Sequence, residues 1–258
     1  MQTRLNGPLD AFIVKLGEGI PELASVSAAS YLRSAIAPES IVAAFGPALS
    51  LDTQPARTVP LPISLAGTSV MVKDSVGTER LAPLFFVSPN QINYQIPPGT
   101  APGSALVRVR NANGATTEGI SFVERVAPAL FSANASGQGA AAALVLRVKP
   151  NGAQSYEAVA VFDAAANQYI PRPLEFGQDE LYLVLFGSGL RFRDPQAVAQ
   201  VALSGELYPA RYAGAQGGFA GLDQVNVRLP KTLAGRGEVN VSLYLDNRSS
   251  NAVRIGFK

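Results

Sequence analysis

The stretch QINYQIP, residues 91–97, recurs as QVNVRLP at residues 224–230. In the first copy Ile92, Tyr94 and Ile96 alternate with polar neighbours, and in the second Val225, Val227 and Leu229 do the same. Successive side chains of a strand point to opposite faces, so a period of two predicts one buried face and one wet face. Pro97 and Pro230 close the two runs. Proline donates nothing to a ladder, so each strand is expected to leave its sheet there. One phrase in two places, with the same asparagine and the same final proline, predicts a duplicated β unit.

The neighbouring segments repeat in the same order. Residues 40–45 form an apolar run that ends in Phe45 and Gly46, and residues 181–186 (LYLVLF) end in Phe186 and Gly187. The first copy carries the longer connection, placed in the proline-punctuated loop 47–62, because surface loops absorb insertions at small cost. Asn113-Gly114 and Asn151-Gly152 each lie between apolar runs and predict hairpins, since both residue types tolerate positive φ. The alanines of residues 140–143 are soon followed by valine, leucine and proline, and read as strand. Together these segments predict an all-β chain. It comprises an N-terminal strand and linker over residues 1–24, a β-sandwich over 25–125 and a second over 126–258.

Composition narrows the chemistry. The 258 residues suffice for two domains of ordinary size, and 47% apolar against 16% charged residues supplies a core for each. There is no cysteine, histidine or tryptophan. The first absence excludes disulfides and thiolate metal sites; the second removes Ser-His-Asp, Cys-His and histidine-zinc chemistry together. The expectation is a protein that is not an enzyme and holds no cofactor or metal. The net charge is +2 with dispersed basic residues; Arg108 and Arg110 alternate with Val107 and Val109 as the wet face of a strand. Without a basic stripe, no nucleic-acid partner is expected. No run of 18 apolar residues appears, so no membrane insertion is expected, and MQTRLNGPLDAF lacks the apolar centre of a signal peptide.

A series of phrases carries a family resemblance: SAAS (27–30), IVAAFGPALS (41–50), APLFFVSPNQINYQIPPGT (82–100), APALFS (127–132) with GQGAA (137–141), LFGSGL (185–190), GLDQVNVRLP (221–230) and SSNAVRIGF (249–257). In this order, over residues 25–258, they resemble the C-terminal domain family first described in Solibacter, found at the ends of large secreted acidobacterial proteins. Each half is similar to the immunoglobulin-like folds called IPT or TIG domains. The resemblance implies two tandem immunoglobulin-like β-sandwich domains, an extracellular or cell-surface location and no known activity. The implied role is spacer, anchor or adhesive tail, with partners among other domains of the same chain or extracellular partners such as polysaccharide. Residues 144–163 are longer than in many relatives. At the N-terminus DAFIVKL (10–16) resembles the closing strand of an SBBP β-propeller repeat, and reads equally as an ordinary strand of the first unit.

Candidate sites divide between binding and architecture. Phe86, Tyr94, Tyr212 and Phe219 are the residues a carbohydrate-binding face would use, although aromatics at strand spacing also build cores. Asn93 and Asn226 hold the same place in the two copies. They read as structural, each bonding a neighbouring loop, rather than as ligand contacts at a sheet edge. Glu175, Asp179 and Glu180 form the densest acidic cluster but lack the pattern of a calcium loop, and read as a solvated turn. Asn134 and Asn247 match the glycosylation triplet, a match common by chance. The glycines of residues 213–221 are not followed by the lysine and helix of a phosphate cradle. A further reading is self-assembly into a filament, with residues 9–16 donated as a strand to a neighbouring copy.

Overall fold

The computed structural model describes residues 23–258, and their fold is all-β. Among them the helical element is one 3₁₀ turn, Lys231–Leu233. Two hydrophobic clusters form, one from residues 23–123 and one from residues 126–257, each between two antiparallel sheets. In the first half one sheet has the spatial order Ala24–Ser27, Ile41–Phe45, Gln91–Gln95, Leu84–Val87, Gln54–Pro55. The facing sheet runs Glu79–Leu81, Ser69–Lys73, Gly103–Arg110, Thr116–Val123. Alternation decides what lies between them: Val42, Ala44, Ile92, Tyr94, Val70, Val72, Val107 and Val109 all point inward and are buried.

The second half repeats this plan. One sheet runs Gln154–Ala158, Ala143–Val148, Glu180–Ser188, Asp223–Arg228, Tyr212–Ala215. The other runs Pro173–Leu174, Val253–Phe257, Gly237–Leu245, Gln200–Leu203, Glu206–Pro209. The duplication holds at the level of register. Phe45 faces Gln91 as Phe186 faces Gln224, Ala43 faces Asn93 as Val184 faces Asn226, and Phe86 faces Asn93 as Tyr212 faces Asn226. In both halves the segment ahead of the long strand crosses to the opposite sheet and pairs in parallel with its last strand, Ile36 with Val123 and Leu174 with Phe257.

Some local expectations change. Both Asn-Gly hairpins form, but Asn111 and Lys149 accept the amides of Gly114 and Gly152, and of each pair only the glycine takes positive φ (82° and 83°). That is a three-residue loop with glycine in the left-handed position, and the Asn111 side chain, which accepts from the amides of Asn113 and Ala115, fixes the first one. Residues 144–163 are not one hairpin. Ala143–Val148 pairs with Gln154–Ala158, after which Ala160–Asp163 turns back against Gln168–Pro171. Leu23 is already a core residue whose amide donates to Glu118, so the first half starts before the expected residue 25. The strand expected at residues 9–16 lies outside the described residues.

The halves meet in a close joint. Ser188 Oγ accepts the Ile41 amide at 2.9 Å and donates to the Gly221 carbonyl at 3.0 Å. Arg191 donates to Asp223 at 2.8 Å and across the joint to Glu39 at 2.9 Å. Burial pushes the Asp223 carboxyl up, against the pull of Leu190 N–H, Arg191 and Gly189 N–H. Two glycines allow the close approach, Gly137 against backbone and Gly221 against a side chain. A Cβ on Gly137 would lie 2.2 Å from the Ser30 carbonyl oxygen, and one on Gly221 would lie 2.6 Å from Ile41 Cγ1.

Candidate binding face

In the second half, the outward residues of Glu180–Ser188 are Tyr182, Val184 and Phe186, because Leu181, Leu183 and Leu185 fill the core. Register then fixes what stands beside them. Tyr156, Leu146, Tyr182 and Arg228 are partners across four strands, a row of roughly 14 Å at the usual strand spacing. The next row is Ala158, Leu144, Val184, Asn226 and Tyr212. Tyr156 is 64% exposed and Tyr212 43%, while Leu144 and Leu146 are half-buried and Val184 is buried beneath its neighbours, so the sheet presents mainly tyrosine rings to solvent. Ala143–Val148 takes the place that Ala24–Ser27 has in the first half, and Gln154–Ala158 extends the face by one strand beyond it. Sequence reading flagged that segment but missed Tyr156 and Tyr182, whose partnership depends on the register of distant strands.

At the end of the face lies a cleft of about 730 Å³, lined by Glu180, Tyr208, Arg211, Arg228, Pro230 and Lys231 among others. Glu180 is its polar centre: one carboxylate oxygen accepts from Tyr182 Oη at 2.8 Å and the other from Arg228 at 2.6 Å. The hydrogen bond to Glu180 raises the Tyr182 hydroxyl above its ordinary range, because ionising the phenol would place two negative charges side by side. The same bond, with the cations of Arg228 and Lys231, lowers the Glu180 carboxyl.

The sequence candidates separate on this geometry. Tyr94 is not a binding residue: it is fully buried, its hydroxyl donates to Ser25 at 3.2 Å, and burial raises its pKa. Its parity with Ile92 and Ile96 put it in the core. Tyr212 lies on the face, its hydroxyl donating to the Ala215 carbonyl. Phe86 occupies the equivalent place in the first half, and Phe219 stands 70% exposed in the loop after Ala215, outside the two rows. Asn93 and Asn226 do not bond neighbouring loops. Each accepts from the glutamine two residues earlier, Gln91 at 2.8 Å and Gln224 at 2.9 Å, so both copies carry the same polar pair on the outer face. Gln95 takes the loop-binding role instead, donating to the Glu39 carbonyl. Gly46 donates its amide to Asn90 at the end of its strand, and Gly187 sits where a Cβ would lie 2.5 Å from the Ala129 carbonyl. Pro97 is buried and accepts from Thr100 Oγ1, and Pro230 leads into the 3₁₀ turn.

The acidic cluster is drawn apart by arginines and lysine. Asp179 pairs with Arg147 at 2.9 Å, Glu180 with Arg228, and Glu175 with Lys258 at 3.4 Å. Among the described residues no group of three acidic side chains is arranged to hold a metal ion. No helix of the described residues is long and apolar enough to cross a membrane.

No protein-family model matches this sequence, and a search of curated proteins finds no match. Among solved structures, the chain is similar to the Bacteroides ovatus mixed-linkage glucan utilization locus SGBP-B in complex with a mixed-linkage heptasaccharide. Identity is 10% and the TM-score 0.36, over 88% of this chain and 43% of the other. A second similarity is to a tetra-tandem repeat in the extending region of a large adhesion protein, at 10% identity and a TM-score of 0.25, over 92% of this chain and 74% of that one. The chain thus spans less than half of the first of these proteins, and at such values the likeness leaves function to the residues themselves.

Proposed function

We propose that this chain is a non-catalytic interaction module of a secreted or surface-displayed bacterial protein, of the immunoglobulin-like C-terminal kind its sequence phrases resemble. It engages its partner through the outer face of the sheet Gln154–Ala158 to Tyr212–Ala215. The observation that carries this reading is the pair of rows holding Tyr156, Leu146, Tyr182, Leu144 and Tyr212, a nearly continuous apolar and aromatic strip on a sheet whose other face already fills the core. Contiguous apolar surface of this sort marks an interaction site. Against catalysis stands the state of the polar groups: Glu180 is tied to Tyr182 and Arg228, and Tyr182 is held protonated, the wrong form for a general base.

The test is binding to a glycan array together with a hydrolase and lyase screen on the same preparation. Retention on one class of polymer, lost in Tyr156→Ala and Tyr182→Ala with unchanged thermal stability, supports the reading. Turnover of any bound polymer removes the non-catalytic part of it.

A further inference from the structure

We infer that the partner of this face is an acidic polysaccharide, a chain of uronate-bearing sugars lying across Tyr156 and Tyr182 with its carboxylates at the end cleft. This rests on the binding-face reading above and names the ligand class for it. The cleft holds Arg211, Arg228 and Lys231 against Asp179 and Glu180, and Asp179 is bound from outside the cleft by Arg147, which also pairs with Glu157. With Glu180 paired to Arg228, two cations of the cleft have no salt-bridge partner among the described residues. Arg211 makes no salt bridge among the described residues, and Lys231 reaches the Gly177 carbonyl only at 3.4 Å. An anionic group entering the cleft therefore meets Arg211 and Lys231 without breaking an existing pair.

The rest of the face suits sugar. Tyrosine rings supply flat apolar area for the C–H faces of pyranose rings, while Gln224, Asn226 and the remaining lone pairs of Glu180 offer partners to hydroxyl groups. A nucleic acid strand also combines stacking with negative charge. It fits worse, because a DNA strand has no free sugar hydroxyls along its length to donate to Glu180 and to the Gln224–Asn226 pair, whereas each sugar of a uronate chain keeps ring hydroxyls that do so. A neutral glucan would leave Arg211 and Lys231 unanswered.

The experiment titrates the protein with oligogalacturonate, with its fully methyl-esterified neutral form and with single-stranded DNA of equal charge, by calorimetry at two salt concentrations. Binding of the acid form is expected to exceed that of the ester about tenfold or more, as charge-assisted hydrogen bonds are worth more than neutral ones. It is expected to weaken with salt, and to fall to the level of the ester in the Arg211→Ala/Lys231→Ala variant. These exposed side chains can be removed without disturbing the core, which an unchanged melting temperature verifies. Equal binding of acid and ester, both lost in Tyr182→Ala, overturns the acidic ligand but leaves the binding face. Binding indifferent to both Tyr156→Ala and Tyr182→Ala overturns the face itself. Tighter binding of the DNA, or no binding of oligogalacturonate, alginate or a sulfated galactan, overturns the inference as well.

Discussion

Gly137→Ala tests how tightly the two halves are joined. Gly137 has φ of +76°, and its missing Cβ faces only the backbone of Ser30, with the carbonyl oxygen at 2.2 Å, the carbonyl carbon at 2.5 Å and Cα at 2.8 Å. The loop cannot retreat easily. Ser132 Oγ accepts the Gly137 amide at 2.9 Å, and Asn251 Nδ2 donates to the Gly137 carbonyl at 2.7 Å. An alanine therefore costs about 1–2 kcal/mol for the left-handed backbone and about 1–3 kcal/mol more for overpacking. Gly152→Ala is the control, with φ of +83° and nothing within 4 Å, so it incurs only the first cost. The assay is thermal and urea unfolding of both variants beside the parent. At roughly 2–4 °C per kcal/mol for a chain of this size, Gly137→Ala is expected to melt several degrees below Gly152→Ala. If the two variants unfold together, the joint has slack and its rigidity is refuted.

Three further outcomes follow from the same contacts. Burial alone would raise the Asp74 carboxyl, but amides of Ala101, Thr78 and Val76 and the Arg80 guanidinium bond it and hold it at about 2 instead of the ordinary 3.8. Because the folded value is the lower one, Asp74 contributes stability above about pH 4 that is lost as pH falls toward 2. Denaturant titrations from pH 5 to 2 are expected to show a shallower decline in Asp74→Asn, and parallel curves would contradict this. Tyr94→Phe removes one buried hydrogen bond to Ser25 and is expected to cost about 1 kcal/mol in urea unfolding, against about 3–5 kcal/mol for Tyr94→Ala. Ser188→Ala leaves the Ile41 amide without its acceptor, an expected loss of about 1–3 kcal/mol, and a neutral result would mean that water replaces the hydroxyl.

What the sequence disclosed, and what it withheld, follows from the range of the physics. Alternation in QINYQIP and QVNVRLP is a local property, and it placed Ile92, Val225 and Val227 in the core and Asn93 and Asn226 outside it. The same parity applied to Tyr94 would have removed it from the exposed set at once. The partners of the two asparagines were legible too, since residues two apart on a strand share a face and Gln91 and Gln224 stand two before them. Long-range register was not legible. Tyr156 meets Leu146 and then Tyr182 only because two hairpin loops and a crossover set three strands in step. Nor does anything in GQGAA announce that Gly137 lies against Ser30, for a close approach between distant backbones leaves no periodic trace.

The close joint also bears on mechanics. If this chain sits in a tether between a cell and its surroundings, the contacts of Ser188 with Ile41, Arg191 with Glu39 and Gly137 with Ser30 act together against bending between the halves. The two halves then extend as a single stiff segment, and the tyrosine strip keeps its orientation under tension.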